Sequence, residues 1–162
     1  MRTIMTVIDN LILSINPGIF LILGGLISII LPLKIAQKFN IALPLLLLLS
    51  LWNTEQGNHF GSLFLGYNLE LFRVDAFSYI FGIIFLIAIA VANLYSIGAT
   101  TGKIESSSSM IYAGSATAAV FAGDLITLFI FFEIAAISSV FLIWARGTER
   151  AFSAGFRYLI VQ

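Results

Sequence analysis

The stretch from Leu125 to Ala145 constrains this chain most, because it holds about twenty apolar or small residues and a single carboxylate, Glu133. At roughly 1.5 Å of rise per residue, a helix of that length crosses a hydrocarbon core of about 30 Å. Glu133 would then lie roughly 13 Å from Asp124 and roughly 20 Å from Arg146, the charged residues at the two ends. The run therefore predicts a transmembrane helix with a carboxylate deep in the membrane.

The composition places the whole chain in the same class. Of its 162 residues, 60% are hydrophobic and 10% are charged, and several separate runs are long enough to span a bilayer. Basic and acidic residues cancel, so no nucleic-acid partner is indicated. The sequence has no cysteine and shows no metal-ligand cluster, phosphate loop or histidine pair for haem, so we expect no metal and no cofactor.

The apolar runs predict an all-α, polytopic transmembrane helix bundle with five spans and the start of a sixth. The first span begins at Leu11 or Pro17, because Asn16-Pro17-Gly18 is either a break or a helix start. The last segment has only about twelve residues, too few to cross, and is read as an incomplete span. The predicted spans are about 11–33, 39–52, 76–98, 110–123, 125–145 and 151–162.

The connections between these spans carry their own patterns. Apolar and polar residues alternate from Tyr67 to Asp75, which predicts a short strand or an extended hairpin at the membrane surface. Residues 99–109 include four consecutive serines and are predicted to form a flexible loop. Gly114, Ala118 and Ala122 recur every four residues, a spacing that lets another helix approach closely.

The distribution of basic residues predicts the orientation. With the amino end outside, the inner connections hold five basic residues and the outer ones hold two, as the positive-inside rule requires. The inner residues are Lys34, Lys38, Lys103, Arg146 and Arg150, and the outer ones are Arg2 and Arg73.

Glu133 is the main candidate functional residue. A charged and unpaired carboxylate at that depth costs several kcal/mol, so such residues usually mark an ion or proton path. The structural alternative is a protonated glutamate that bonds a hydroxyl or a backbone carbonyl. Asp124 is predicted to be the N-cap of the same helix, or else the entrance of the path.

Three further residues are candidates with open alternatives. Ser138 and Ser139 either hold water near the Glu133 carboxylate or serve only in helix packing. Arg157 lies seven residues after Arg150, about 10 Å into the sixth helix. It either extends back to the inner surface or faces a water-filled interior, where it would bias Glu133 through bridging water.

Three segments of the chain resemble the proton-translocating antiporter-like family. They are FRVDAFSYIFG, then GDLITLFIFFEIAAISSVFLIWA, then AGFRYLIVQ. This family includes the large membrane subunits of respiratory complex I and the A and D subunits of Mrp-type cation/proton antiporters. The chain is most similar to the D subunit and corresponds to the amino-terminal part of the family's roughly fourteen-helix fold.

The resemblance implies a transporter subunit rather than an enzyme. Glu133 falls at the family's fifth-helix glutamate, which pairs with a seventh-helix lysine beyond Gln162, and Arg157 falls at a basic position in the sixth helix. The implied activity is exchange of sodium or another monovalent cation for protons, with other antiporter subunits as partners, in the bacterial inner membrane. Two alternatives stay open: a proton-pumping subunit of a quinone-linked NADH dehydrogenase, and a truncated or split-gene fragment without transport activity.

Overall fold

The computed structural model of the protein describes residues 15–64, 66–97 and 102–162. These residues form six helices and one two-stranded sheet. The predicted start of the first span at Leu11 and the outer basic residue Arg2 lie outside the described residues. In chain order the elements are α1 (Pro17–Ile30), α2 (Leu33–Trp52), β1 (Gly57–Phe64), β2 (Tyr67–Val74), α3 (Ala76–Ser96), α4 (Lys103–Val120), α5 (Leu125–Trp144) and α6 (Glu149–Val161).

Three of these helices are long and apolar enough to cross a membrane: α2, α3 and α5. This suggests a membrane protein, but it is a smaller number than the five predicted spans. The described part of α1 is apolar but has only 14 residues. Helix α4 is not among the candidates because Lys103, Glu105 and its serines lower its hydropathy.

Two predicted connections are wrong, since the chain there is helical. Helix α2 begins at Leu33, so Lys34 and Lys38 belong to its first turns, and it continues through Pro44. Helix α4 begins at Lys103, so the serines predicted to form a loop are in fact inside a helix, and Ser106, Ser107 and Ser108 are buried. A helix satisfies its own backbone groups, which favours it in apolar surroundings even for residues of weak helix propensity.

The strand pattern after Tyr67 is confirmed. Strand β2 pairs with β1 in an antiparallel hairpin, and the chain turns at Gly66, whose φ of +85° suits glycine. The hairpin is also fastened to the connection between α4 and α5: the Arg73 N–H donates to Phe121 O (2.9 Å), and the Gly123 N–H donates to Glu70 O (2.8 Å). Phe72 and Phe121 pack edge to face in the core, at 5.4 Å between ring centroids.

Helices α1 and α4 lie in direct backbone contact. A Cβ added at Gly114 would fall 2.7 Å from the Ile22 backbone nitrogen and 2.9 Å from the Gly18 carbonyl oxygen. A Cβ at Gly18 would fall 2.6 Å from the Ala118 Cα. The predicted close approach at Gly114 and Ala118 is therefore confirmed, with α1 as the neighbouring helix, whereas Ala122 lies beyond the end of α4.

Buried polar side chains join the helices at both ends of the bundle. Near the hairpin, Asn16 caps α1 and donates to Leu71 O (2.9 Å) and Ala118 O (3.0 Å). At the opposite end, Ser28 donates to Asn40 Oδ1 (2.6 Å) and Asn40 donates to Ser106 Oγ (3.3 Å). These bonds fix α1, α2 and α4 relative to each other and place the start of α1 at the hairpin end. The start of α5 lies at the same end, because Asp124 accepts the Glu70 N–H of β2.

Candidate functional site

Glu133 is the ninth of the 20 residues of α5, an unbroken helix and one of the three candidate spans. Its side chain is exposed on the surface of the described bundle. Among the described residues, no hydrogen bond or ion pair is formed by its carboxylate. The protonated glutamate satisfied by a neighbouring hydroxyl is therefore not the arrangement that this part of the chain adopts.

Ser138 and Ser139 are not gathered around that carboxylate. At 100° per residue they lie about 140° and about 120° around the helix from Glu133. Ser138 is buried, and its hydroxyl donates to Ile134 O and Ala135 O, both at 2.9 Å. Ser139 donates to Ala136 O at 2.7 Å. Both hydroxyls thus donate to carbonyl groups of α5 itself. Of the two alternatives for these serines, this arrangement fits a role in helix packing.

Asp124 is the N-cap of α5, where the sequence predicts it. Its Oδ1 accepts the backbone N–H groups of Ile126 and Thr127, both at 2.9 Å. Its Oδ2 accepts the Thr127 hydroxyl (2.6 Å) and the Glu70 N–H of β2 (2.7 Å). One carboxylate therefore holds both the first turn of the Glu133 helix and the hairpin. The alternative role of Asp124 as a path entrance stays a prediction.

The surroundings of Asp124 favour its charged form. Partial burial acts to raise its pKa, but the hydrogen bonds from Thr127, Glu70 and Ile126 outweigh burial and hold the pKa below the usual value of 3.8. Asp75, the N-cap of α3, also has a lowered pKa, mainly because its carboxylate accepts the Ser78 N–H at 2.8 Å. Both groups lie at the hairpin end of the bundle.

We expect Asp124→Asn to make the free energy of unfolding depend less on pH in the acid range than it does in the wild-type protein. A folded-state pKa below the unfolded value of 3.8 gives stability that is complete above that value and is lost as the pH falls through the folded pKa. Asparagine still caps the helix, but it loses one acceptor oxygen, so we also expect a loss of about 1 kcal/mol at neutral pH. The measurement is thermal unfolding of the detergent-solubilised protein between about pH 2 and about pH 6, a range that extends below 3.8, where the contribution of Asp124 is lost. Glu55→Gln, which removes an exposed carboxylate outside any cap, is the control. The assignment would be contradicted if Asp124→Asn lost as much stability in acid as the wild-type protein does.

Arg157 is exposed in α6 and forms no ion pair with Glu133 among the described residues. It lines an open hollow of about 370 Å³ together with Glu149, Arg150, Ser153 and Ala154. The start of α6 is held against α5 by Trp144, whose ring stacks on Phe152 at 5.0 Å and whose Nε1–H donates to Phe152 O at 3.2 Å. The two candidate proton-path residues are thus on neighbouring helices without touching.

A larger groove of about 510 Å³ lies between α3, α4, α5 and the last turn of α6. Its α5 wall includes Phe131, Phe132, Ala135 and Ala136, the residues that flank Glu133 in sequence. Glu133 does not line the groove, so its carboxylate lies beside this apolar space rather than in it.

Sequence reasoning did not single out the buried polar contacts of Asn16 at the hairpin end or the bonded set of Ser28, Asn40 and Ser106 at the opposite end. For Asn16 a signal existed, because Asn-Pro-Gly is a strong helix start. For Asn40 the available signal was a lone amide within an otherwise apolar run, which in a membrane helix tends to bond a neighbouring helix. In the described ranges, no cluster of histidine and carboxylate side chains could hold a metal ion.

Comparison with known proteins assigns no family. No family model matches the chain, and no solved structure matches it. An uncharacterized protein of Methanocaldococcus jannaschii is 42% identical to the chain over 53 residues. That stretch is 33% of this chain and 11% of the archaeal protein, so the chain matches only a small part of that relative. The similarity brings no activity with it.

Proposed function

We propose that this chain is the amino-terminal part of a subunit of a multisubunit cation/proton antiporter, a multi-pass protein of the bacterial inner membrane. It would exchange sodium or another monovalent cation for protons, with Glu133 as the proton-relay carboxylate. The observation that carries the proposal is the state of Glu133: it lies in the middle of a candidate membrane span, it is exposed, and it has no partner among the described residues.

That state favours transport for an energetic reason. A carboxylate near the bilayer centre that faced only lipid would cost several kcal/mol, so it requires water or a cation supplied by other helices. A group whose partner is external to its own bundle can exchange protons when that partner moves. The basic partner that the resemblance implies, a lysine on a later helix, would meet this requirement. Arg157, which forms no ion pair with Glu133 in the described structure, would have to act through water.

The charge distribution supports the proposed orientation. Among the described residues, the end opposite the hairpin has five basic side chains and two carboxylates in its connections and first helical turns. The hairpin end has one arginine and four carboxylates. Because basic residues accumulate on the cytoplasmic side, we propose that the hairpin faces outward.

Glu133→Gln in the assembled transporter tests this function. In everted membrane vesicles with a respiration-driven pH gradient, we expect the sodium-induced recovery of acridine orange fluorescence to fall to the level of vesicles without the protein. Glutamine keeps the shape of the side chain but cannot carry the proton. Glu149→Gln at the start of α6, which removes the same charge outside the candidate spans, should retain wild-type activity when both variants are present at equal amounts.

The other outcomes separate the rival functions. Wild-type vesicles that pump protons with NADH and show no response to added cations would instead favour the NADH dehydrogenase subunit. Full exchange by Glu133→Gln would remove the relay role. A wild-type chain that adds no exchange, alone or with its neighbouring subunits, would support the inert fragment.

A further inference from the structure

The corner where α5 turns into α6 encloses an open hollow of about 730 Å³. Its walls are apolar, formed by Leu142 and Ile143 at the end of α5 and by Ala151 and Ala154 in α6. Two guanidinium side chains, those of Arg146 and Arg150, also line it. The hollow is thus amphipathic, with two positive charges beside a surface that excludes water.

Neither arginine has a protein partner in the described part of the chain. The two ion pairs found there both belong to Arg73 at the hairpin end. Glu149, next to Arg150 in sequence, lines the adjoining smaller hollow, which shares Arg150 and Ala154 with this one, and it is not within ion-pair distance of either guanidinium. A guanidinium offers five donors in a planar fork that matches a phosphate group, and here the donors of both arginines are unused.

Several contacts fix the backbone of this corner, so the positions from which the two arginine side chains extend are set before any ligand arrives. Trp144 stacks on Phe152 and also contacts Phe156, at 5.3 Å between ring centroids, and Phe141, at 5.7 Å. The chain reverses at Gly147, whose φ is +67° and whose N–H donates to Trp144 O at 2.9 Å. Thr148 then caps α6 by accepting the Ala151 N–H. Preorganisation of this kind reduces the entropy lost on binding.

We infer that this corner binds an anionic membrane phospholipid, with Arg146 and Arg150 on the headgroup phosphate and the apolar walls against the upper part of an acyl chain. Both halves of the hollow are explained by that ligand, whereas a free phosphate ion would use only the arginines. The corner also follows a candidate membrane span and lies at the more basic end of the bundle, where anionic lipids concentrate basic segments. The inference does not depend on the transport proposal.

The test is lipid retention by the protein in its complex, reconstituted in nanodiscs of phosphatidylcholine with phosphatidylglycerol and then measured by native mass spectrometry. We expect Arg146→Gln with Arg150→Gln to reduce retained phosphatidylglycerol roughly 25-fold, because each basic residue near an anionic surface contributes on the order of a factor of five. Neither side chain forms a bond in the described structure, so the variant should fold. Ala154→Phe fills the hollow without changing charge and should displace the lipid as well.

Lys34→Gln with Lys38→Gln is the matched control, since it removes the same charge from the same end of the bundle but away from the corner. We expect this pair to retain phosphatidylglycerol. Equal loss in both double variants would overturn the site in favour of general surface charge. Displacement of the lipid by millimolar inorganic phosphate would assign the arginines to a free anion instead, and unchanged retention in both the arginine variant and Ala154→Phe would exclude any binding at this corner.

Discussion

Gly114→Ala is expected to destabilise the protein, although the same change in an isolated helix would stabilise it. In the interior of a helix, alanine is better than glycine by about 1 kcal/mol. Here the new methyl group would fall 2.7 Å from the Ile22 nitrogen and 2.9 Å from the Gly18 oxygen, both in the backbone of α1. Backbone atoms cannot rotate away, so α1 and α4 must separate. We expect a net loss of about 2 kcal/mol, or a fall of about 4–8 °C in Tm.

Thermal unfolding in detergent, followed by tryptophan fluorescence, measures this shift. Gly102→Ala is the control, because nothing lies within 4 Å of a Cβ at that position and its φ of −74° suits alanine. We expect Gly102→Ala to change stability by less than about 1 kcal/mol. A rise in Tm for Gly114→Ala would mean that α1 does not contact α4 as described.

Asn16→Ala is expected to cost about 3 kcal/mol, the larger of the two stability effects. The Asn16 side chain is 1% exposed. It donates to the carbonyls of Leu71 and Ala118, and it accepts the Gly18 N–H at 3.0 Å. Removing it deletes all three hydrogen bonds, each of which contributes about 1 kcal/mol, and leaves the Ala118 oxygen with only the Phe121 N–H, at 3.2 Å.

Two variants separate the parts of that effect. Asn16→Ser retains a cap acceptor but is too short to reach the two carbonyls, so we expect about half of the loss. Asn58→Ala removes an exposed asparagine from β1 and should leave Tm within about 2 °C of wild type. If Asn16→Ala unfolds at the same temperature as Asn58→Ala, the three-way junction of α1, β2 and α4 does not contribute to stability.

The elements that the sequence located well are those with a strong local signal. Helices α3 and α5 each follow a capping aspartate, Asp75 and Asp124, and each is a long apolar run. The end of β2 and the start of α3 adjoin at Asp75, where the alternating pattern gives way to an unbroken apolar run. Such boundaries depend on neighbouring residues in sequence, so they can be read without knowing the fold.

The beginning of α4 could not be located in the same way. Ser106 to Ser109 have weak intrinsic helix propensity, and in an aqueous loop they would be flexible. They are helical here because α4 packs against α1, and because Ser106 accepts a hydrogen bond from Asn40, 66 positions earlier in the chain. A pattern confined to the serines contains no information about that partner.

For the candidate site, too, the sequence predicts one property of Glu133 and not another. The depth of Glu133 follows from the helix around it, and the structure agrees on that helix. The direction of the side chain depends on which faces of α5 the neighbours cover, and this is why Ser138 and Ser139 were expected near a carboxylate that lies on another face. The partner of Glu133 is still a prediction.

The packing of α4 has a consequence for the order in which the chain folds during synthesis. Its neighbours α1 and α2 are made well before it: α1 ends at Ile30 and α2 at Trp52, whereas α4 begins at Lys103. The face of α1 that contacts Gly114, and the Asn40 amide that donates to Ser106, therefore have no partner until α4 has been made. In that interval a chaperone or another helix could occupy the same face of α1, and α4 would then have to displace it.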